Sequence, residues 1–275
     1  MGTLYIVATP IGNLEDITLR AMRVLREVPL IAAEDTRVTR RLLSAYEIKT
    51  PLLSYNEHNQ RARTPRLLEA LEQGDVALVS DAGTPVLSDP GLDLVQAAAE
   101  AGYKVVAVAG PSALAAAVSV AGLPTQEFTF VGFLPRKGKE RRQALERLAK
   151  EGRAFVLYEA PHRIQATLDD LKDVLGDRRL AACRELTKFY EEVFRGLLSE
   201  ASSHFTEPRG EFTLVVEGGA PLSADEPVDA GRLSSFMNEL RGQGLPPNQS
   251  VAVAMAELGV SRREAYSAWV ESGKG

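Results

Sequence analysis

The sequence predicts an α/β fold: two α/β domains followed by a small helical extension at the carboxyl end. Three observations lead there. Short apolar runs alternate with segments of helical periodicity, the pattern of a mostly parallel sheet buried on both faces. Glycine- and proline-rich loops follow three of these runs, where open α/β sheets hold their ligands. Beyond residue 112 the strand-like runs become richer in β-branched and aromatic residues, which points to a second, mixed sheet.

In chain order, Leu4–Ala8 reads as a strand and Thr18–Glu27 as a helix capped by Asp16 or Thr18. Leu30–Ala33 is a short strand, Arg37–Tyr46 a basic helix and Pro51–Ser54 strand-like. Thr64–Gln73 is expected as a helix opened by Thr64, with Pro65 at its first position. The strands Val76–Ser80 and Lys104–Ala109 flank the helix Leu92–Ala101. Ala113–Val120 is an alanine-rich, tightly packing helix that opens the second unit. Phe128–Gly132 is a strand, Lys139–Lys150 a basic helix, Ala154–Tyr158 a strand, Ile164–Leu175 a helix and Leu180–Arg184 a strand. Glu191–Phe205 reads as helical, and Phe212–Glu217 as the last strand. Residues 219–230 have linker composition. Three short helical patterns follow, the last two flanking Leu258-Gly-Val-Ser261 in the manner of a helix-turn-helix unit. The expected domains are therefore 1–112, 113–219 with a mixed sheet, and the extension 231–275. That extension packs as a helical cap or touches nucleic acid through Arg262 and Arg263.

The single cysteine, Cys183, excludes a disulfide framework and a four-cysteine zinc site. His58, His162 and His204 are too widely separated for metal-ligand spacing, so no metal is expected. No apolar run is long enough to span a bilayer. The amino terminus runs directly into a strand without a basic leader, so a cytoplasmic protein is expected. A net charge of −5 argues against a uniformly basic surface, though not a local one. Arg136–Arg153 holds eight basic residues against three acidic ones. Arg37, Arg40 and Arg41 form a second basic cluster, and Arg61, Arg63 and Arg66 a third.

The most constrained segment is Ser80-Asp-Ala-Gly-Thr-Pro-Val-Leu-Ser-Asp-Pro-Gly91. Two glycines and two prolines fix an irregular backbone, and its low side-chain bulk suits close approach of backbone to a ligand. Thr9-Pro-Ile-Gly-Asn-Leu-Glu-Asp-Ile-Thr18 follows the first strand. It lacks the Gly-Lys-Ser/Thr of a P-loop and the glycine pattern of a dinucleotide fold. Val108-Ala-Gly-Pro-Ser112 is the third such loop, in which Ser112 caps a helix or meets a ligand. Three loops at strand ends would converge on one edge of the sheet. In the second half, Tyr158-Glu-Ala-Pro-His-Arg163 and Arg184-Glu-Leu-Thr-Lys188 each end a strand in polar groups that could face those loops across a cleft. Nothing suggests a covalent nucleophile.

Taken together, these motifs resemble the tetrapyrrole-methylase-like, or class III, S-adenosylmethionine-dependent methyltransferases. The resemblance carries Leu4–Thr18, Ser80–Gly91, Gly110-Pro-Ser112, Phe130-Val-Gly-Phe-Leu-Pro135, Tyr158–Arg163 and Arg184–Lys188, in matching order from residue 2 to about 218. Within the family it resembles the enzymes that methylate the 2′-oxygen of cytidine 1402 in bacterial 16S ribosomal RNA. It implies S-adenosylmethionine folded into a cleft between two α/β domains, a homodimer, and 16S RNA or the small ribosomal subunit as partner. Cofactor contacts are implied at Pro10, Asp81, Ala82, Gly83, Thr84, Leu87, Ser112, Ala113, Tyr158, Glu159, Leu186 and Thr213, mostly through backbone. Asp81 reads more as a loop organiser than as a catalyst. Thr84 stands where relatives often carry an acid, so no carboxylate contact is expected there.

A ribose hydroxyl is a poor nucleophile at neutral pH, and a positioned base helps. Glu159, His162 and Lys188 are the candidates, with Glu185 behind them; Lys188 could instead stabilise charge on the oxygen. Arg37, Arg40, Arg41, Arg136, Lys137, Arg141 and Arg142 are expected to steer RNA. The runner-up readings are a methyltransferase of the same fold acting on a small tetrapyrrole, and a non-catalytic nucleic-acid-binding protein using the terminal helices.

Overall fold

The computed structural model describes residues 2–219, 230–243, 245–258, 260 and 262–271. Five short apolar runs become the strands β1 (Thr3–Val7), β2 (Leu30–Ala33), β3 (Leu52–Ser54), β4 (Val76–Val79) and β5 (Lys104–Val108). They form one sheet in the order β3-β2-β4-β1-β5, with every pairing parallel. Helices α1 (Leu19–Glu27), α2 (Thr36–Ala45), α3 (Gln60–Gln73) and α4 (Leu92–Glu100) connect them. One apolar core includes Val7, Val24, Leu25, Ile31 and Val79; the other includes Leu4, Leu67, Leu71, Leu78 and Leu94. Adjacent residues of β1 and β4 thus serve different cores, which is why these strands read as continuous apolar runs.

Helix α5 (Ala113–Ala121) follows, and Ala117 and Ala121 pack on Val156, Ala181 and Val215 of the next sheet. That sheet holds β6 (Phe128–Phe133), β7 (Ala154–Glu159), β8 (Arg179–Arg184), β9 (Glu192–Leu197) and β10 (Phe212–Val216), ordered β6-β7-β10-β8-β9. Only β6 and β7 are parallel. Helices α6 (Gly138–Ala149), α7 (Ile164–Leu175) and α8 (Leu198–His204) complete this half. Its core joins Leu145, Leu148, Leu157, Leu168 and Leu214.

Two stretches depart from the sequence reading. Helix α3 begins at Gln60 rather than at Thr64, so Pro65 lies inside it. Pro65 removes the amide donor for the Arg61 carbonyl, and one residue earlier the Thr64 hydroxyl donates to the Gln60 carbonyl at 2.8 Å. Glu191–Phe205 is not one helix: its first part is β9, paired antiparallel along all of β8, and only Leu198–His204 is helical. Val193, Phe194 and Leu197 suit a strand, and this long-range pairing overrides the helical pattern.

The chain divides into two compact units: Met1–Ala149 with Ala154–Glu217, and Lys150–Arg153 with Gly218–Gly275. The first carries both sheets. The second contains α9 (Ala230–Gly242), α10 (Pro247–Leu258) and α11 (Arg262–Glu271) around its own core of Leu233, Met237, Leu240, Val251, Ala254 and Trp269. The Arg241 guanidinium lies 4.2 Å from the Trp269 ring centre and donates to the Trp269 carbonyl at 2.7 Å. Most of the expected linker, Gly259 and Ser261 of the turn, and the side chains of Arg262 and Arg263 lie outside the described residues. No helix among the described residues is long and apolar enough to cross a membrane.

Candidate active site

Because β1 pairs with both β4 and β5, the loops leaving their carboxyl ends must meet. Thr9 and Gly83 form an isolated antiparallel bridge, each amide donating to the other's carbonyl at 2.9 Å. The Thr9 hydroxyl donates to the Ser80 carbonyl at 3.1 Å, and the Thr84 hydroxyl to the Pro111 carbonyl at 3.3 Å. Gly83 has a φ of 77°, the left-handed backbone that glycine adopts without strain. Val86 and Ser88 also have positive φ, 76° and 65°. For a β-branched residue such as Val86 this is strained by roughly 1–3 kcal/mol, tolerated only where the surroundings over-determine it. Ser112 accepts the Ala115 amide at 3.4 Å and caps α5, and Thr18 caps α1 in the same way.

The second sheet supplies the facing wall. Strand β10 lies between β7 and β8, so Thr213 pairs with Tyr158 on one side and Cys183 on the other. The polar loops after β7 and β8 leave on either side of it. Between these and the first-sheet loops lies a cleft of ≈ 520 Å³. From the first sheet it is lined by Asp81, Ala82, Gly83, Thr84 and Leu87, and by Ser112 and Ala113. From the second it is lined by Tyr158, Glu159 and His162, by Leu186 and Lys188, and by Thr213. Pro10 does not line the cleft; its neighbour Ile11 does. Gly12 marks where the first loop meets the second wall. A Cβ there would stand 2.3 Å from Lys188 Cγ, so no side chain fits without separating the two.

The electrostatics divide the catalytic candidates. Glu159 is 1% exposed, and its carboxylate is fully engaged. Oε1 accepts the Ala160 amide at 2.9 Å and faces Arg163 Nε at 3.2 Å, while Oε2 accepts the Thr167 hydroxyl at 2.6 Å. Thr167 in turn accepts from Arg141, which pairs with Asp170 at 2.7 Å. Glu159 is therefore an anchor for the 160–163 turn. Lys188 Nζ donates to Glu185 Oε1 at 2.8 Å and to Glu211 Oε2 at 2.9 Å. Burial would lower its pKa, but these two carboxylates outweigh burial and hold it raised. Lys188 is thus a fixed cation and not a proton acceptor. Burial also opposes ionisation of Glu185, yet the Lys188 and Glu211 hydrogen bonds keep its pKa lowered. His162 is exposed, in the short turn Pro161–Arg163.

The residue that sequence reasoning passed over is Asp89. It lines the cleft, and burial raises its pKa to about 6, against a hydrogen bond from Ser80 and with help from the charge of Asp81. Its field reaches the Tyr158 hydroxyl, whose pKa is raised first by burial and then by Asp89. Asp89 sits in the second Ser-Asp pair of the loop, just before Pro90-Gly91 and α4. The repetition of Ser80-Asp81 in Ser88-Asp89 is the sequence signal for it. Asp81 is an organiser: its carboxylate accepts the Asp35 amide at 2.9 Å, and its own amide donates to Glu34 at 3.1 Å. Glu34 lines the cleft as well, with a pKa raised mainly by burial. Glu211, on the strand side, carried no sequence signal.

The basic surfaces are not uniform. Arg37, Arg40 and Arg41 are exposed and line one shallow depression on α2, whose Asp35 cap touches the cleft loop through Asp81. Arg37 is already paired with Asp35 at 2.6 Å. Arg136, Lys137 and Arg142 are exposed on and before α6, and Arg142 pairs with Glu146 at 3.3 Å. Arg141 corrects the expectation of a single charged face. It is 9% exposed and turned inward to Asp170, Thr167 and the Pro135 carbonyl, so it cannot contact a phosphate. Among the described residues there is no group of side chains that could hold a metal ion.

Residues 3–202 match the family of Tetrapyrrole (Corrin/Porphyrin) Methylases. The chain is 48% identical over 276 residues to a protein of Synechocystis sp. named ribosomal RNA small subunit methyltransferase I, with 98% of each covered. A protein of the same name from Thermotoga maritima is 54% identical over 221 residues, covering 79% of this chain and 99% of that relative. The Bacillus subtilis protein of that name is 43% identical over 275 residues, covering 98% and 94%. Among solved structures, uroporphyrin-III C-methyl transferase from Thermus thermophilus, complexed with S-adenyl homocysteine, has a TM-score of 0.57 at 22% identity, covering 78% of this chain and 97% of that one. Diphthine synthase gives a TM-score of 0.62 at 15% identity, covering 78% and 90%. These distant likenesses concern the fold.

Proposed function

Since the chain belongs to the tetrapyrrole methylase family, in the branch of relatives named ribosomal RNA small subunit methyltransferase I, we propose that it methylates 16S ribosomal RNA from S-adenosylmethionine, at the 2′-oxygen of cytidine 1402. The observation that carries the reading is the cleft itself: a wall of small residues tied to its neighbours through backbone, carrying a carboxylate of raised pKa and facing a fixed lysine. Its size suits a cofactor of this class. Ala82, Gly83 and Ala113 leave backbone groups within a ligand's reach. Asp81, Asp89 and Glu34 supply a negative field that complements a cationic sulfonium.

The bound cofactor supplies a methyl already activated for displacement, so the chain's task is orientation and proton handling. The loops at 82–87 and 112–113 hold one partner, and Thr213 and Leu186 close the floor. With the 2′-hydroxyl placed against the methyl that the bound cofactor would supply, the Asp89 carboxylate would take the hydroxyl proton. Lys188, held by Glu185 and Glu211, stabilises negative charge on the oxygen during that transfer. Glu159 keeps the turn carrying His162 in place.

RNA approaches over the exposed arginines of α2 and the basic residues at 136, 137 and 142. We also propose a cytoplasmic homodimer acting on the small subunit or its RNA, the dimer being tested by sedimentation. The function itself is tested by calorimetric titration with S-adenosylhomocysteine, followed by methyl transfer at varied pH. Cofactor binding with a rate that rises through about pH 6 is expected. Absence of cofactor binding would refute the reading.

A further inference from the structure

The most exposed aromatic side chains among the described residues adjoin the cleft. Phe189 is 92% exposed and Tyr190 71%. Their rings stand edge to face, 5.0 Å between centres at 89°. The preceding residue is Lys188, which lines the cleft. An aromatic pair this exposed gains nothing from burial in the fold, and exposed apolar groups beside a site mark a contact surface.

The pair is carried on a built loop. Glu185 and Thr187 have positive φ, 51° and 66°, a strained backbone at two non-glycine residues. The strain is held by a lattice of hydrogen bonds. The Lys188 amide donates to the Glu185 carbonyl at 3.0 Å, and the Glu191 amide to the Lys188 carbonyl at 3.1 Å. The Thr187 amide donates to the Glu191 carboxylate, and Lys188 Nζ is clamped between Glu185 and Glu211. The neighbouring acids are thereby engaged within the loop. The rings are thus presented at small entropic cost, as a preorganised contact requires.

We infer that Phe189 and Tyr190 form a stacking platform for nucleobases of single-stranded RNA flanking the nucleotide that enters the cleft. This rests on the reading of the cleft as an RNA methyltransferase site. Every base has a π-face, so aromatic platforms hold unpaired strands without requiring sequence, and RNA is recognised chiefly where its bases are unstacked. The cleft lysine directly precedes the platform in the chain, so a strand with one nucleotide in the cleft would carry its neighbours across the rings. Phosphate contacts on α2 and near residues 136–142 add affinity without positioning bases. The platform gives the register that they do not.

The test compares the full-length protein with F189A/Y190A, with F189L as an apolar side chain that cannot stack, and with F189W as one that can. A fluorescently labelled single-stranded 16S fragment spanning the target cytidine reports RNA affinity. S-adenosylhomocysteine titration reports the cleft, and sedimentation reports the oligomer. The expected result is a loss of RNA affinity of roughly tenfold or more in F189A/Y190A, a comparable direction in F189L, recovery in F189W, and unchanged cofactor affinity. Unchanged RNA affinity, or full affinity in F189L, overturns the platform. A variant that becomes monomeric while binding RNA normally overturns it in favour of a second copy of this chain as the occupant. If the wild-type protein binds cofactor but neither the fragment nor small ribosomal subunits, the functional reading fails, and the platform fails with it.

Discussion

Asp89 bears most of the proposed chemistry, and its environment gives it two measurable consequences. As the proton acceptor it must be ionised, so the rate of wild-type methyl transfer is expected to rise with pH through about 6. D89N should lower the rate by roughly 10²–10⁴-fold and remove that limb, with affinity for the uncharged S-adenosylhomocysteine retained. Near-normal turnover in D89N would leave orientation alone as the source of rate. The second consequence concerns stability. A carboxyl whose pKa is raised by folding stabilises the fold fully below its unfolded pKa and loses that contribution as pH rises through about 6. D89N should therefore be more stable than wild type at pH 7, by on the order of 1 kcal/mol after allowing for solvent screening. Equal melting temperatures across pH 4–8 would contradict it. Glu159 contributes to stability through its contacts. Its buried carboxylate is paired with Arg163 and Thr167, so E159A removes the Thr167 hydroxyl's acceptor and Arg163's ion-pair partner and should destabilise the protein by about 3 kcal/mol in urea unfolding. Much of this was readable in the sequence: the loop motifs brought Ala82, Gly83, Thr84, Leu87 and Ser112 to one place. What was not readable was which polar side chain turns toward the cleft. Glu159 and Lys188 lie in polar strand-end motifs alike, and only their partners distinguish a buried anchor from a clamped cation.

At the scale of elements, the parallel half was legible because each strand is a short apolar run ended by a glycine- or proline-containing loop. The antiparallel half was less so. Strand β9 carries charged residues and a glycine among its apolar ones, and its pairing with β8 is the information a local pattern lacks. Helix α6 shows the same limit, for its charge count did not reveal which residues face inward. R40E/R41E should weaken RNA binding and reduce its salt dependence, leaving the fold intact, because both residues are exposed on α2. R141E should instead unfold the α6–α7 contact, placing a carboxylate against Asp170 and Thr167, and a lowered melting temperature checks it. Intact stability with weakened RNA binding in R141E would return that residue to the surface role first expected of it.

At the scale of the molecule, the two units have separate cores. The Thermotoga maritima relative is matched over 99% of its length by 79% of this chain, so about a fifth of this chain has no counterpart there. The cleft residues all belong to the first unit. Removing residues 220–275 is therefore expected to leave cofactor affinity unchanged, with any loss confined to RNA affinity. A truncated chain that folds but no longer binds cofactor would contradict this.

The central claim is methyl transfer to one ribose in 16S RNA, and one measurement tests it most directly. Small ribosomal subunits from a strain lacking this activity are incubated with the protein and methyl-labelled S-adenosylmethionine, and the label is mapped by nucleotide. The account predicts a single labelled position, a 2′-O-methyl on cytidine 1402, absent with D89N. Label on a base, label at another nucleotide, or no label in RNA alongside methylation of a tetrapyrrole would contradict it.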